Sequence, residues 1–415
     1  MLIPIFWASV NSQPAKANAT YANPVLEGGG ADPAVLYHEG TYYTYTTNSR
    51  GLVYISTDLV NWEAGPQVIP DHLQGAWAPE VYFHPEDGKF YMYYTNRYKI
   101  GVAVSDRPDA KFRDLGYIAI PGIDAHPFRD DDGHLYLYFT HTPAFTMYCI
   151  PMFSPTEPGG PVTKCFEISQ DWEKHDHAIN EGPWMMKLNG TYYLFYSGSN
   201  GQTVYYSIGY ATAPTPIGPF TKFSGNPVIA HTESIYGPGH GSFTMDRSGQ
   251  WWHLYHQKTD TGKGWQRFVC LDPLEINPDT GEMRSTPTKG ESLKVPEFDS
   301  ELVWCPEFRP RGSYFYETET VTLTSRTPDA LIHYTLDGSE PSEDSLKYMD
   351  PIEVGESVTI KARAFMKGME SSSIAEMRFF RTNWKLPTPE LTPAPSGNPP
   401  FRVWPSPVPK APPKR

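Results

Sequence analysis

The decapeptide DDGHLYLYFT, residues 131–140, decides the fold, because it is the middle one of five copies of a single hairpin signature. HEGTYYTYTT (38–47) and EDGKFYMYYT (86–95) precede it, and LNGTYYLFYS (188–197) and RSGQWWHLYH (247–256) follow. Each joins turn residues and a glycine to a strand dense in aromatic side chains. The glycines are Gly40, Gly88, Gly133, Gly190 and Gly249, and three positions after each stands Tyr43, Tyr91, Tyr136, Tyr193 or Trp252. Spacings of 45 to 59 residues suit one four-stranded sheet per repeat, the size of a propeller blade. Further strand-like stretches fill the intervals, such as 52–56, 101–105 and 206–211, and no helical periodicity persists over ten residues before position 300. Evenly spaced strands without helices exclude a βαβ fold, and five repeats predict an all-β, five-bladed β-propeller.

Outside the repeats the chain divides further. A composition change follows Pro287, and residues 306–381 carry their own strands (VTLTS, LIHYTLDGSEP, SVTIKARAF) with turn chemistry at Asp337-Gly338, which predicts a small β-sandwich. From Asn383 the final 33 residues hold eleven prolines, so 382–415 reads as an extended, solvated Pro-rich tail. At the other end, LIPIFWASV (2–10) followed by Ala17-Asn18-Ala19 has the apolar core and small-x-small end of a secretory signal, although a basic leader is missing. The expected divisions are a signal peptide at 1–19, a propeller at 20–295, a sandwich at 306–381 and the tail, with secretion or a periplasmic location.

With 34 basic and 47 acidic residues the formal charge is −13, which repels phosphate backbones and anionic lipid surfaces and so excludes nucleic-acid and membrane-surface partners from the expectation. No run approaches the apolar length of a membrane span. The 27 Tyr and 11 Trp either stack on sugar faces or fill β cores. Cys149, Cys165, Cys270 and Cys305 permit up to two disulfides in three pairings, Cys149 with Cys165 being nearest, and equally fit free buried thiols. With no CxxC pair, a thiolate zinc site is not expected, and neither is an organic cofactor.

Eight or nine positions before each repeat glycine, where the innermost strand of a blade begins, stands a polar residue: Asp32 in GGGADPAV, Glu80 in WAPEVYF, Asp124 in GIDAHPF, Glu181 in INEGPWM and His240 in GPGHGSF. Inner-strand ends of a propeller converge on one mouth of the channel, which brings four carboxylates and an imidazole together. Clustered carboxylates repel and lose hydration, so a structural role does not explain them. Hydrolysis of a glycosidic bond needs one protonated and one ionised carboxyl. Five-fold symmetry sets blades 3 and 4 about 72° apart and blade 1 about 144° from both, so Asp124 neighbours Glu181 and Asp32 faces them. Ionised Asp124 would raise its neighbour, making Glu181 the acid, and Asp32 the base across a gap wide enough for water. That arrangement predicts inversion.

Other residues carry two readings each. Glu80 is a substrate contact or a structural carboxylate, and His240 a core histidine or a holder of water or a cation on the channel axis. Trp77 and Trp184 form a sugar-stacking wall or fill the core, and Arg267 holds sugar hydroxyls or makes an ordinary ion pair. His175 and His177 reach the leaving-group side or lie in a surface loop. The run Asp130, Asp131 and Asp132 looks metal-binding, but its place in the turn before Gly133 predicts a solvated loop.

With those residues in hand, 20 to about 295 resembles glycoside hydrolase family 43, on NPVLEGGGADPAV, WAPEVYF, GIDAHPF, INEGPWM and GPGHGSF in that order, with VSDRPDAKF and ATAPTPIGPF at blade ends. The resemblance implies a five-bladed inverting hydrolase with Asp32 as base, Glu181 as acid and Asp124 tuning and orienting that acid. It also implies a calcium or other cation at the channel centre, held through His240 mostly by way of water, and contact of Arg267 with the sugar. Residues 306–381 resemble the C-terminal sandwich of chitobiase-type enzymes through HYTLDGSEP and IKARAF, which implies a packing or spacing module. The family spans xylosidases, arabinofuranosidases, endo-arabinanases and galactosidases. The expectation is an exo-acting α-L-arabinofuranosidase or β-xylosidase on plant-type glycans, against a galactosidase of the same fold or a non-catalytic sugar-binding propeller.

Overall fold

The computed structural model describes residues 19–385 apart from positions 29, 48, 49 and 74, with backbone alone at 119; the expected leader, but for its last residue, and the Pro-rich tail from 386 lie outside the described residues. Five antiparallel sheets succeed one another along the chain, each begun by its innermost strand. Blade 1 runs Ala31–His38, Thr41–Thr47, Leu52–Ser56 and Glu63–Gln67; blade 2 runs Trp77–His84, Lys89–Asn96, Lys99–Ser105 and Arg113–Pro121. Blade 4 comprises Asn180–Leu188, Thr191–Gly198, Ser207–Ala213 and Thr221–Lys222.

Two blades depart from four strands. Blade 3 (Ile123–Arg129, Leu135–His141, Thr146–Ser154) ends in two short pieces, Glu157–Pro158 and Thr163–Phe166, both paired with its third strand. Blade 5 has Gly239–Met245, Trp251–Lys258 and Arg267–Pro273 and is completed by the start of the chain, where Leu26 bridges Val269. Asn23 locks this closure, its amide nitrogen reaching the Leu271 carbonyl at 2.9 Å and its amide oxygen accepting the Leu271 N–H at 2.8 Å. Among the described residues only two single-turn 3₁₀ segments, Asp71–Leu73 and Asp171–Glu173, break the β structure.

The repeats carry large side chains at successive positions because each second strand is buried on both faces. Leu137 and Phe139 enter the core between blades 2 and 3, whereas Tyr136 and Tyr138, one residue out of phase, enter the core between blades 3 and 4. Analogous cores join blades 1 and 2, 4 and 5, and 5 and 1, so five separate wedges close the ring. A sixth core belongs to the C-terminal β-sandwich, whose three- and five-stranded sheets enclose Phe308, Val321, Ile360 and Phe379.

The sandwich rests on hairpin turns at the far ends of the inner strands. Arg378 donates its N–H to the Asn189 side chain at 3.0 Å, Arg311 donates to Asp131 at 3.2 Å, and Cys305 donates to the Arg247 carbonyl at 3.0 Å. Here the acidic run departs from expectation: Asp130 is buried, not solvated, because Lys187 and the Tyr192 hydroxyl bind its carboxylate, and Asp131 is taken up by the docking. All four cysteines are free thiols, with Cys149 and Cys165 in sulfur–sulfur hydrogen-bond contact.

Candidate active site

Every inner strand slips register close to its start, between Ala31 and Ala34, Trp77 and Glu80, Ile123 and His126, Glu181 and Trp184, and Gly239 and Ser242. At each bulge one residue turns left-handed: Asp32 (φ 52°), Ala78 (φ 46°), Asp124 (φ 55°), Gly182 (φ 59°) and His240 (φ 41°). Such bulges re-aim side chains and strain non-glycine residues, so the surroundings must hold them. The holding device is the last residue of each decapeptide. Ala78 donates its N–H to Thr47 Oγ1, Asp124 to Thr95 Oγ1, His240 to Ser197 Oγ and Asp32 to His256 Nδ1, at 2.8, 2.9, 2.9 and 3.2 Å. The fourth blade breaks the rule: Gly182 N–H turns to Asp124 Oδ2 at 3.3 Å, and Thr140 Oγ1 is buried without a partner.

This register corrects the equivalence expected from counting back to the glycines. Asp32, Asp124 and His240 do share one row, but its other members are Ala78 and Gly182. Glu181 stands one residue earlier, level with Trp77, while Glu80 stands two later, level with His126 and Trp184. At about 3.3 Å per residue that places Glu80 and Trp184 below the mouth. Glu80 Oε1 is therefore spent on His126 Nδ1 at 2.9 Å rather than on a ligand. Trp184 packs against Phe243 and Trp251 in the core between blades 4 and 5, which removes it from the sugar-stacking wall.

Asp32, Trp77, Asp124, Glu181, His240 and Arg267 all line one cavity of about 740 Å³, a size suited to a small ligand. Burial alone would raise the Asp32 carboxyl. The Arg267 guanidinium, 3.0 Å away, followed by His240 at 3.5 Å, reverses this and holds it well below the usual carboxylate range. Glu181 is pushed up to about 7, first by burial and then by the charge of Asp32, against the opposing pull of its hydrogen bond from Tyr206. Asp124 is also raised, by burial and then by Glu181 and Asp32, despite the Gly182 N–H it accepts. Desolvation thus precedes charge repulsion as the reason Glu181 keeps a proton, whereas the sequence had assigned this to Asp124.

The cavity also holds residues the sequence did not single out. Tyr98 meets Trp77 edge-on at 5.6 Å, and Trp265 lies over the Arg267 guanidinium at 4.9 Å, so aromatic rings stand on both sides of the mouth. Trp265 was visible only as one aromatic residue in the glycine-bearing stretch GKGWQR (262–267), before the strand that carries Arg267. His177, read as surface loop, reaches the rim, where Asp176 gathers His177, Asn200 and Lys263 at 3.0, 2.6 and 2.6 Å. His175 instead stacks on Tyr205.

Burial lowers the His240 pKa, so the ring is neutral near pH 7. Its Nδ1 faces Asp32 and Asp124, which calls for the proton there and leaves Nε2 as the one nitrogen able to bind a cation. Among the described residues no three His, Cys, Asp or Glu side chains form a ligand set. The residues present fit a cation held singly by His240 with water completing its shell, and do not fit a protein-built cage.

Residues 21–281 match the family described as Glycosyl hydrolases family 43, and residues 310–376 match the Chitobiase/beta-hexosaminidase C-terminal domain. A β-D-galactofuranosidase of Aspergillus niger is 27% identical over 64% of this chain and 85% of its own length. An extracellular exo-α-(1→5)-L-arabinofuranosidase of Streptomyces chartreusis is 28% identical over 56% of this chain and 80% of its own. Among solved structures, a thermostable family-43 glycoside hydrolase aligns with a TM-score of 0.62 and 33% identity, covering 67% of this chain and all of that one.

Proposed function

The chain belongs to glycosyl hydrolase family 43, and from that premise we propose that it removes terminal pentosyl residues, α-L-arabinofuranosyl or β-xylosyl, from plant-type glycans with inversion at the anomeric carbon. One observation carries the roles: a carboxylate paired with Arg267 and a buried carboxyl bound by Tyr206 border one aromatic-walled cavity, the first with its pKa pulled down and the second pushed up to about 7. Glu181 gives its proton to the glycosidic oxygen as the bond to the anomeric carbon breaks. A water on the opposite face of the sugar attacks that carbon and passes its proton to Asp32. Solvent then returns a proton to Glu181 and removes one from Asp32. Asp124 shares the acidic corner and anchors the backbone beside Glu181 through Gly182. Arg267 keeps Asp32 ionised and, projecting into the cavity, is placed to meet sugar hydroxyls. A cation bound by His240 would supply fixed positive charge beside the carboxylates.

The exo mode and the pentose follow the Streptomyces relative, an extracellular enzyme, which also supports secretion together with the leader pattern at 1–19. No helix among the described residues is long and apolar enough to cross a membrane. The A. niger relative favours a second reading, release of terminal galactofuranose, because a furanosyl ring with a longer exocyclic arm needs only a roomier inner wall. Nitrophenyl α-L-arabinofuranoside, β-D-xyloside and β-D-galactofuranoside distinguish the readings directly. Asp32→Asn and Glu181→Gln should each lower kcat by about 10²-fold or more on glycosides with poor leaving groups. Proton NMR of the first product should show the inverted anomer, and initial release of the retained one would sink the mechanism.

A further inference from the structure

Tyr206, at the entrance to the third strand of blade 4, is fully buried, and its hydroxyl donates to Glu181 Oε1 at 2.8 Å. Other buried tyrosines of the propeller end on groups outside the cavity, Tyr192, Tyr196 and Tyr255 on the carboxylates of Asp130, Glu173 and Asp272. Tyr45, Tyr93 and Tyr138, equivalent positions of three repeats, give their hydroxyl protons to the carbonyls of Pro108, Pro155 and Pro216. Those contacts satisfy a phenol and staple neighbouring blades. Tyr206 gives its proton to a carboxyl that lines the cavity.

Its orientation is fixed from three sides. The ring stacks on His256 with centroids 5.7 Å apart and planes 7° from parallel. Gly239 lies against its edge so closely that a Cβ there would fall 2.1 Å from the ring. Ser197, which accepts the His240 N–H at 2.9 Å, lies beside the phenol oxygen. The phenol proton is thus directed to Glu181 Oε1, beside a serine already engaged with the His240 amide.

A carboxyl oxygen that accepts a phenol proton is better kept as the carbonyl oxygen of the acid form, because a proton on the same oxygen would point at the donor. We propose that Tyr206 is a positioning residue for the general acid: it occupies Oε1 of Glu181 and thereby keeps the transferable proton on Oε2, the oxygen left to the substrate. This rests on the hydrolase reading above. Ser197, the polar neighbour of the phenol, belongs to the same device. Groups facing Glu181 from the surrounding strands are Asp32, Asp124, Arg267 and Tyr206, with the His240 ring against the adjacent Gly182.

The test uses the full chain and a series of aryl glycosides of the preferred sugar, from dinitrophenyl to unsubstituted phenyl, together with the corresponding disaccharide. Tyr206→Phe keeps the ring, its stack on His256 and its fit to Gly239. Its kcat should fall about ten-fold or more on the phenyl glycoside and the disaccharide, whose departing oxygen needs the proton, and by less than about two-fold on the dinitrophenyl glycoside. KM should hold within about two-fold throughout, because the hydroxyl does not touch the sugar. Ser197→Ala should show the same dependence on leaving group with a smaller amplitude. A purely structural tyrosine predicts equal losses for every leaving group, and that outcome, or no loss at all, overturns the proposal. Wild-type protein inactive on the whole series would overturn the hydrolase reading itself, a result distinct from an active wild type with a uniformly impaired variant.

Discussion

At the residue scale, Glu181 and Asp32 set the pH behaviour. Glu181 is pushed up to about 7 and Asp32 is held well below the ordinary carboxylate range, so the productive pair, one protonated and one ionised, exists below neutrality. kcat/KM should decline as pH rises through about 7, with its acid limb displaced below the range of an unperturbed aspartate. Linkage adds a stability consequence. Glu181 is raised from 4.5 to about 7, so the folded state binds more protons than the unfolded chain in that window. Its stabilising share is complete below 4.5 and lost as pH climbs through 7. Glu181→Gln should therefore melt about 3 °C above wild type at pH 8 and converge with it at pH 4, a gap of the size one buried ionisation produces. An identical difference at both pH values, followed by calorimetry, would refute the raised carboxyl. Asp32, Asp124, Glu181, His240 and Trp77 were legible as site residues because each sits at a strand start of a countable repeat, whereas Arg267 was assigned to the site only through the family resemblance. Glu80 and Trp184 were misplaced by the same count, since all five inner strands share the bulge but their turns differ in length, two residues in blades 1 and 4 against four in blade 2.

At the scale of the element, the five repeats are readable because apolar side chains on both faces of a strand leave a dense aromatic signature. What they do at the mouth is less visible. The tenth residue of each decapeptide looked like mere strand, yet Thr47, Thr95, Ser197 and His256 each hold a strained backbone N–H of the following blade. The four-blade rule and its exception make a sharp comparison. Thr47→Val and Thr95→Val each strip a buried N–H of its acceptor and should cost about 1–3 kcal/mol in urea unfolding. Thr95→Val should also lower kcat, because the released amide is that of Asp124, while Thr47→Val, which frees Ala78, should leave kcat close to wild type. Thr140→Val removes a hydroxyl that has no partner and should be neutral or slightly stabilising. Equal costs at 47, 95 and 140 would mean that the ladder carries no energy. The fourth rung is diverted because Asp124 claims the Gly182 amide, which places the break in this ladder beside the acid.

At the scale of the whole molecule, the sandwich touches the propeller through the turns that end the inner strands, whereas the cavity lies where those strands begin. Its strands were legible from alternation and turn residues, but its seat was not, since the contacts join Tyr37, Asp131, Asn189 and Arg247 to residues beyond 300 with no local pattern. Arg326 is the central contact. Its guanidinium lies 4.0 Å from the Tyr37 ring and 4.9 Å from the Trp304 ring, and its Nε meets Glu307 at 2.5 Å. Arg326→Ala removes two cation–π faces and leaves Glu307, mostly buried, with Arg311 at 3.3 Å as its remaining cation. A loss of about 2–4 kcal/mol follows from breaking a largely desolvated pair of this kind. Because an inner strand separates this contact from the carboxylates, kcat and KM on the preferred aryl glycoside should stay within about two-fold of wild type below the unfolding transition. The two quantities are measured on one preparation, by urea titration and by initial rates. Intact stability with an impaired kcat would show that the sandwich communicates with the cavity through the strands it caps, and would replace a supporting role with a coupled one.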